Sequence, residues 1–276
     1  MKKVWLITGA GKGMGNAIAR AALENGDFVI ATTRKEQDFT IWEKYQDRVM
    51  TAKLDVAETE EAQIQAIVEE GVRKFGRIDV LVNNAGRGRI TNFEETSEKN
   101  IRNLFDINVF GLMRVTRAVL PIMRRQNSGH IINIASAAGY AQGPVVYHTS
   151  KFAVTGFSVS LAFEVAPFGI KVTNAAPGVF RTGFYDKNVW GIESDIHIDD
   201  YDDSRWQTAF VEDALKQKQE GDPAKLANLI IEAANSENPP LHLPVGEDAV
   251  RAMDSYCEKI KEDCGIWKEA ASRTAY

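Results

Sequence analysis

The sequence predicts an α/β fold built on a parallel sheet, and three observations carry that expectation. Short Val/Ile-rich runs alternate with longer segments of helical period, the pattern of βαβ units. The runs are continuously apolar, as strands covered on both faces require. The first of them empties into a glycine-rich turn that opens a helical segment.

Taken in order, the expected strands are residues 4–7, 28–31, 49–54, 80–83, 130–135 and 171–176. Between the third and fourth, Ile64, Ile67, Val68, Val72 and Phe75 recur at three- and four-residue steps and mark a helix with one buried stripe. Val154, Phe157, Leu161 and Val165 do the same in a later helix, for which Gly169 suits the C-terminal cap. Past about residue 182 the alternation breaks. Residues 183–221 mix Phe184, Tyr185, Trp190, Trp206 and Phe210 with the acids Asp199, Asp200, Asp202 and Asp203, and long excursions of this kind are often lids. A helix over 223–235, a last strand over 241–245 and a charged terminal helix complete the chain. No repeat or low-complexity linker divides it, so residues 1–276 are expected to form one domain with 183–221 as its lid.

Composition narrows the function classes. With 44% hydrophobic and 26% charged residues the chain has material for a core. A formal net charge of -5 and the lack of a clustered Lys/Arg face argue against nucleic-acid binding. The apolar run after Met1-Lys2-Lys3 is too short for a signal peptide or membrane span, so an intracellular, cytoplasmic protein is expected. Cys257 and Cys264 have no His in metal-ligand spacing and read as reduced thiols, with no metal site expected.

At the end of the first strand stands Thr8-Gly9-Ala10-Gly11-Lys12-Gly13-Met14-Gly15. Glycines here let the backbone turn sharply and approach a pyrophosphate resting on the positive end of the next helix, and a side chain at Gly15 would wedge that helix off the sheet. About 20 residues on, where an NAD site carries an acid for the ribose 2′-OH, this chain has Thr33 and Arg34. A guanidinium binds a 2′-phosphate that an acid would repel, and Lys12 adds a second cation, so the expected cofactor is NADP(H).

The chemistry is expected farther along. Tyr147-His148-Thr149-Ser150-Lys151 places an ammonium one helical turn from a phenol. Bringing a phenol from a pKa near 10 into working range by about three units takes about 4 kcal/mol, comparable to the gross attraction of a unit charge at about 4 Å with an effective dielectric of about 20. Ser136, following the fifth strand, is placed to hydrogen-bond a substrate oxygen as it gains charge.

Thr8-Gly9-x-x-x-Gly13-x-Gly15, Asn83-Asn84-Ala85-Gly86, Asn108, Ser136, Tyr147-x-x-x-Lys151 and Pro177-Gly178-x-x-x-Thr182 stand in the order and approximate spacing of the short-chain dehydrogenase/reductase family. The resemblance is close over about residues 1–185. It implies a doubly wound, Rossmann-like domain and a catalytic tetrad of Asn108, Ser136, Tyr147 and Lys151. In that family the tyrosine exchanges a proton with the substrate oxygen, the lysine lowers its pKa and holds the nicotinamide ribose, and the asparagine organises a water linked to the lysine. The resemblance also implies cofactor contacts at Tyr147 and Lys151, and on the adenine side at Asp55 and Val56. Asn83, Ala85 and Gly86 would line the adenosine side, and Pro177, Gly178 and Thr182 the nicotinamide. Homodimers or homotetramers would form through the helix carrying Tyr147 and its neighbour. The cations at 12 and 34 resemble the family's NADP(H) subgroup.

One departure is that Ser136 precedes Tyr147 by only eleven residues, short for the family. Ser150, adjacent to Lys151, reads as facing the helix surroundings, and His148 as a partly exposed helix residue. The substrate class expected is a small carbonyl or alcohol, apolar if the aromatic excursion covers it. A non-catalytic NADP(H)-binding sensor on the same fold is the competing reading, and an epimerase or dehydratase relative a weaker one.

Overall fold

The computed structural model describes residues 2–35, 44–185, 194–202 and 219–274, and of Tyr185 the backbone alone. Trp190, Asp203, Trp206 and Phe210 of the excursion lie outside the described residues.

Strands β1 (Val4–Ile7), β2 (Phe28–Thr33), β3 (Val49–Lys53), β4 (Val80–Asn83), β5 (Gly129–Ile134), β6 (Ile170–Pro177) and β7 (His242–Val245) form one 7-stranded sheet in the order β3-β2-β1-β4-β5-β6-β7. Every pairing is parallel. Because successive side chains of a strand point to opposite faces, each strand feeds two cores. On one face Trp5, Ile7, Val29, Val82 and Ile132 pack with Ile18 and Leu23 of α1 (Gly13–Glu24) and Leu226 and Ile230 of a later helix, Pro223–Asn235. On the other, Leu6, Ile30, Leu81, Ile131 and Val172 pack with Ile64 and Val68 of α2 (Glu61–Phe75) and with residues of two further helices, Gly111–Gln126 and Val145–Val165. In chain order, after α2, the helices are α3 (Glu98–Phe105), α4 (Gly111–Gln126), α5 (Val145–Val165), α6 (Pro223–Asn235) and α7 (Glu247–Ser272). Helices on both faces of a parallel sheet make the fold doubly wound and Rossmann-like, as expected.

The strand order reverses between β1 and β4, so the crevice beyond their carboxyl ends is where a fold of this kind receives ligands. Small boundary shifts matter to that crevice. β2 runs on to Thr33, burying it, and β5 stops at Ile134, which frees Ser136 from the ladder. α5 begins at Val145 behind Pro144, so Tyr147 lies in its first turn. Its continuation ends at Gly169 in the left-handed region, φ +65°, the cap that glycine makes inexpensive. Among the described residues no helix is long and apolar enough to cross a membrane.

Candidate active site

The cofactor end is shaped by backbone. Gly9 has φ +66°, which turns the chain out of β1, and a Cβ on Gly15 would lie 2.5 Å from the Gly9 carbonyl oxygen and 2.4 Å from Asn84 Nδ2. Only glycine lets α1 start this close to β1. No side chain caps the N-terminus of α1, whose N-cap position is Lys12, so its first N–H groups are left to whatever lies in front of them. Cross-braces hold the turn. Thr8 Oγ1 accepts from the N–H groups of Asn84 and Ala85 at 3.0 Å each, Asn84 Nδ2 donates to Thr8 O at 2.9 Å, and Asn16 Nδ2 donates to Gly11 O at 3.3 Å. Thr182 closes the opposite wall: its Cβ is 3.6 Å from the place a Cβ on Gly13 would take. Met14 is half-buried against the core below. An uncapped helix start behind a glycine cradle fits a dinucleotide pyrophosphate.

Lys12 and Arg34 are both exposed at this end. Arg87, which follows Gly86, is half-buried, and burial together with the neighbouring Arg34 and Arg89 holds its guanidinium below the ordinary value. Arg89 is paired with Asp195 at 2.8 Å, which leaves Arg34 and Arg87 as the two neighbouring cations favourable to an anion. Asp55 Oδ1 accepts from Ala57 N at 2.9 Å, which shapes the turn after β3, while Val56 is buried against Gly111 of α4.

The chemistry end is shaped by side chains. Asn108 sits in a π-helical turn, Asp106–Phe110, between α3 and α4; such an inserted residue re-aims a side chain that a regular helix would point elsewhere. Its Oδ1 accepts from Arg87 N at 3.0 Å, and its Nδ2 donates to Arg87 O at 3.0 Å and to Ser150 Oγ at 3.1 Å. Ser150 Oγ in turn donates to Tyr147 O at 2.7 Å. A Cβ on Gly86 would lie 3.3 Å from Asn108 Oδ1 and 3.8 Å from Lys151 Nζ, so the two side chains converge on the Gly86 position. Lys151 Nζ lies 5.8 Å from the centroid of the Tyr147 ring and donates to Ile134 O at 3.1 Å. Ser136 caps the turn Ala137–Tyr140, accepting from Ala138 N at 3.1 Å and donating to Pro177 O at 3.5 Å, and lies near enough to the Tyr147 hydroxyl to lower its pKa. Phe184, at the start of the excursion, stands 6.1 Å from Tyr147, ring to ring.

The electrostatics differ from the simple expectation. Burial pushes the Tyr147 hydroxyl up to about 12, an effect the hydrogen bond to Ser136 only partly offsets. Burial also brings the Lys151 ammonium down to about 8. Lys151 Nζ stands beside the phenol, held there by the carbonyl at the end of β5. Near neutrality the arrangement holds a proton on Tyr147 and leaves Lys151 mostly charged.

Under this site lies a buried polar ladder that sequence reasoning did not find. Asn83, Asn133 and Asn174 are in register across β4, β5 and β6. Asn83 Nδ2 donates to Asn133 Oδ1 and Asn133 Nδ2 to Ser158 Oγ, both at 2.9 Å, while Asn174 Nδ2 donates to Tyr140 OH at 2.9 Å. The Asn83 side chain therefore points between the sheet and α4, also bonding Thr116 Oγ1 at 2.9 Å, and not into the crevice. Pro177 ends β6, and Gly178 lies so close to α7 that a Cβ there would overlap the Asp248 carboxylate at 1.9 Å. Asp248 Oδ2 accepts from Val179 N at 2.7 Å, fixing the turn that leads to Thr182. His148 is half-buried with Nδ1 2.8 Å from Ala141 O, in keeping with a helix-anchoring role. The repeated Asn at strand ends was a signal for the ladder; Asp248 offered none.

Comparison with known proteins agrees with this geometry. Residues 3–190 match the short chain dehydrogenase family profile. Over 283 residues, covering 100% of both chains, the protein is 38% identical to "Oxidoreductase BOA17" of Botryotinia fuckeliana (strain B05.10). It is 36% identical to a 3-ketodihydrosphingosine reductase of Bacteroides thetaiotaomicron, with 88% of each chain covered. Among solved structures, a short-chain dehydrogenase from Streptomyces avermitilis superposes with TM-score 0.87 at 37% identity over 100% of both chains. ElxO with NADP bound superposes with TM-score 0.71 at 30% identity, covering 88% of this chain and 96% of that one. A Burkholderia phymatum relative in complex with NAD gives TM-score 0.72 at 27% identity, covering 84% and 85%.

Proposed function

The chain belongs to the short-chain dehydrogenase family, and from that premise we propose that it is an NADP(H)-dependent oxidoreductase interconverting an apolar ketone or aldehyde and its alcohol. The observation that carries this reading is the convergence of Asn108 and Lys151 on Gly86, with Tyr147 in the first turn of α5 and Ser136 beside it.

When bound, the nicotinamide supplies or accepts the hydride. Gly9, Gly11, Gly13 and Gly15 with the start of α1 would hold the pyrophosphate, and Lys12 and Arg34, beside Arg87, the 2′-phosphate. Ala85, Gly86 and Asp55 would border the adenosine side, and Pro177, Gly178 and Thr182 the nicotinamide side. The chain's own part in the chemistry is the proton. Tyr147, pushed up to about 12, keeps its proton at neutral pH and hands it to the substrate oxygen as that oxygen becomes an alkoxide. Ser136 donates a hydrogen bond to the same oxygen. The Lys151 ammonium, charged below about 8, stabilises the phenolate left behind and holds the ribose, while Asn108 positions the 87–89 loop and α5 around them.

Phe184 against Tyr147 supports an apolar substrate side, with 183–221 as the lid. The outward Phe163 of α5, 88% exposed, supports a homodimer or homotetramer through that helix. The exposed free thiols Cys257 and Cys264 suit a reducing, cytoplasmic setting.

The test is to follow NADPH and NADH oxidation across aliphatic, aromatic, steroid and sugar carbonyls. Turnover of an apolar carbonyl with NADPH preferred supports the reading; tight NADPH binding with no turnover anywhere on the panel would favour the sensor.

A further inference from the structure

The described part of the excursion, residues 194–202, is tied to the loop that leaves the Gly86 turn. Asp195 is the hub. Its Oδ2 accepts from Arg89 Nη2 and from Ser97 N, both at 2.8 Å, and its Oδ1 accepts from Asn100 Nδ2 at 2.7 Å. The backbone follows the side chain: Asp195 N donates to Glu95 O at 2.9 Å, and Ile198 N to Glu95 Oε1 at 3.2 Å. Glu95 is itself buried at 4% exposure, and its other oxygen accepts from Asn92 Nδ2 at 2.8 Å and Ser194 Oγ at 3.3 Å.

These contacts join two stretches nearly a hundred residues apart, and they end at the chemistry. Two residues before Arg89, the backbone of Arg87 is gripped on both its N–H and its C=O by Asn108. At its other described end the excursion puts Phe184 against Tyr147. Two described pieces of the excursion thus meet the site region, Phe184 at Tyr147 and Asp195 at Arg89, two residues from the Arg87 that Asn108 grips. A carboxylate with three charge-assisted or amide donors at 2.7–2.8 Å is a stronger tether than an exposed ion pair. Among the described residues of this segment, the His197, Asp199 and Asp202 group is exposed.

We propose that Asp195 is a positioning residue for the carbonyl substrate: it fixes residues 194–198 to the Arg89–Asn100 rim, beside the loop that Asn108 grips, and so sets the substrate side of the site while leaving the cofactor side untouched. The proposal rests on the oxidoreductase reading above. The cofactor end is held by β1, α1 and Thr8 contacts in which Asp195 has no part, so cutting the tether separates the two affinities.

The experiment compares wild type, Asp195→Ala, Asn100→Ala and the double variant, with Asp200→Asn as a control carboxylate on the same segment. NADPH affinity is measured by fluorescence titration, and kcat and KM on the best carbonyl found in the panel. Removing the tether is expected to raise the carbonyl KM by roughly tenfold in Asp195→Ala, with NADPH affinity and saturated kcat within about twofold, the split that marks lost ground-state positioning. Asn100→Ala should give a smaller rise in the same direction, and the double variant no more than Asp195→Ala alone, since both remove one contact set. Amide exchange at residues 195–198 and at Ser97 should quicken in Asp195→Ala and not in Asp200→Asn. An unchanged carbonyl KM in the presence of that quickened exchange would overturn the proposal, as would an equal loss of NADPH affinity. If wild type turns over no carbonyl, the oxidoreductase reading fails first and this one with it; turnover with KM indifferent to Asp195 sinks this one alone.

Discussion

The two ends of the crevice are made of different material. At β1–α1 the shape comes from main chain: Gly9 at positive φ, Gly15 in contact with it, and an uncapped helix start. At β5–α5 the shape comes from buried side chains held by other buried side chains, from the π-turn at Asn108 down to the Asn83–Asn133–Asn174 ladder. The difference teaches that binding and chemistry should be separable. A change at the first end alters how a dinucleotide is seated, and a change at the second alters what happens once it is seated.

The largest separable effect is expected at Gly15. Its added Cβ would meet main chain at 2.5 Å and Asn84 at 2.4 Å, and backbone cannot retreat as a flexible side chain can. Gly15→Ala should therefore cost about 100-fold or more in NADPH affinity, as expected for overpacking that displaces a binding element by several tenths of an ångström. Titration of NADPH against the variant checks this, with circular dichroism to show that the sheet survives.

Next comes the charge at the same end. Replacing Lys12 and Arg34 together by Gln should weaken NADPH by roughly 10- to 100-fold, the range for lost hydrogen bonds to a charged group, and leave NADH within about twofold. Equal weakening of both nucleotides would blur the comparison, because it would mean that these cations serve the whole dinucleotide. Arg87, held down by burial and by Arg34 and Arg89, is the nearby residue whose replacement would sharpen it.

At the chemistry end the sign follows from Lys151. Its ammonium is present below about 8 and lost as pH rises through that value. The rate of carbonyl reduction should hold through neutrality and fall above about pH 8, by up to about tenfold per unit. NADPH oxidation measured from pH 6 to 9.5 at saturating substrate shows whether it does.

The smallest effect on catalysis is expected from His130, which is buried in β5 against Thr173 Oγ1 at 2.9 Å. Burial, with Lys171 and Lys3 nearby, brings it down to about 4. An unfolded chain binds a proton there near 6.5, so the unfolded state gains protons first as pH falls. Stability should drop between about pH 6.5 and pH 4 by up to about 3 kcal/mol, with no change in kcat at neutral pH. Denaturant unfolding across that range, compared with His130→Asn, reads it out.

What was legible in the sequence divides along the same line. The backbone-made end was readable because glycines and a strand–turn–helix pattern are local: Gly9, Gly13 and Gly15 lie where their spacing implied, and the start of α6 at Pro223 and its end at Asn235 were marked by local signals. Tyr147 and Lys151 were readable for the same reason, one helical turn apart. The braces were not. Ser150 was read as facing the helix surroundings, yet it links Asn108 to Tyr147, a contact across 42 residues with no local period. Asn83 was expected at the nucleotide and faces the ladder, and the Asp195 tether joins segments 98 residues apart. Spacing alone also did not show that the ammonium of Lys151 would be held by the carbonyl of Ile134, or that burial would push the Tyr147 hydroxyl up.

The central claim is that Tyr147 carries the proton and takes no essential part in seating the cofactor. It is tested most directly by Tyr147→Phe, measured for NADPH affinity and for turnover of the same carbonyl in one preparation. The account predicts NADPH affinity within about twofold of wild type and kcat lower by about 1000-fold, within the range for removal of a general acid. Undiminished kcat in the variant would contradict it.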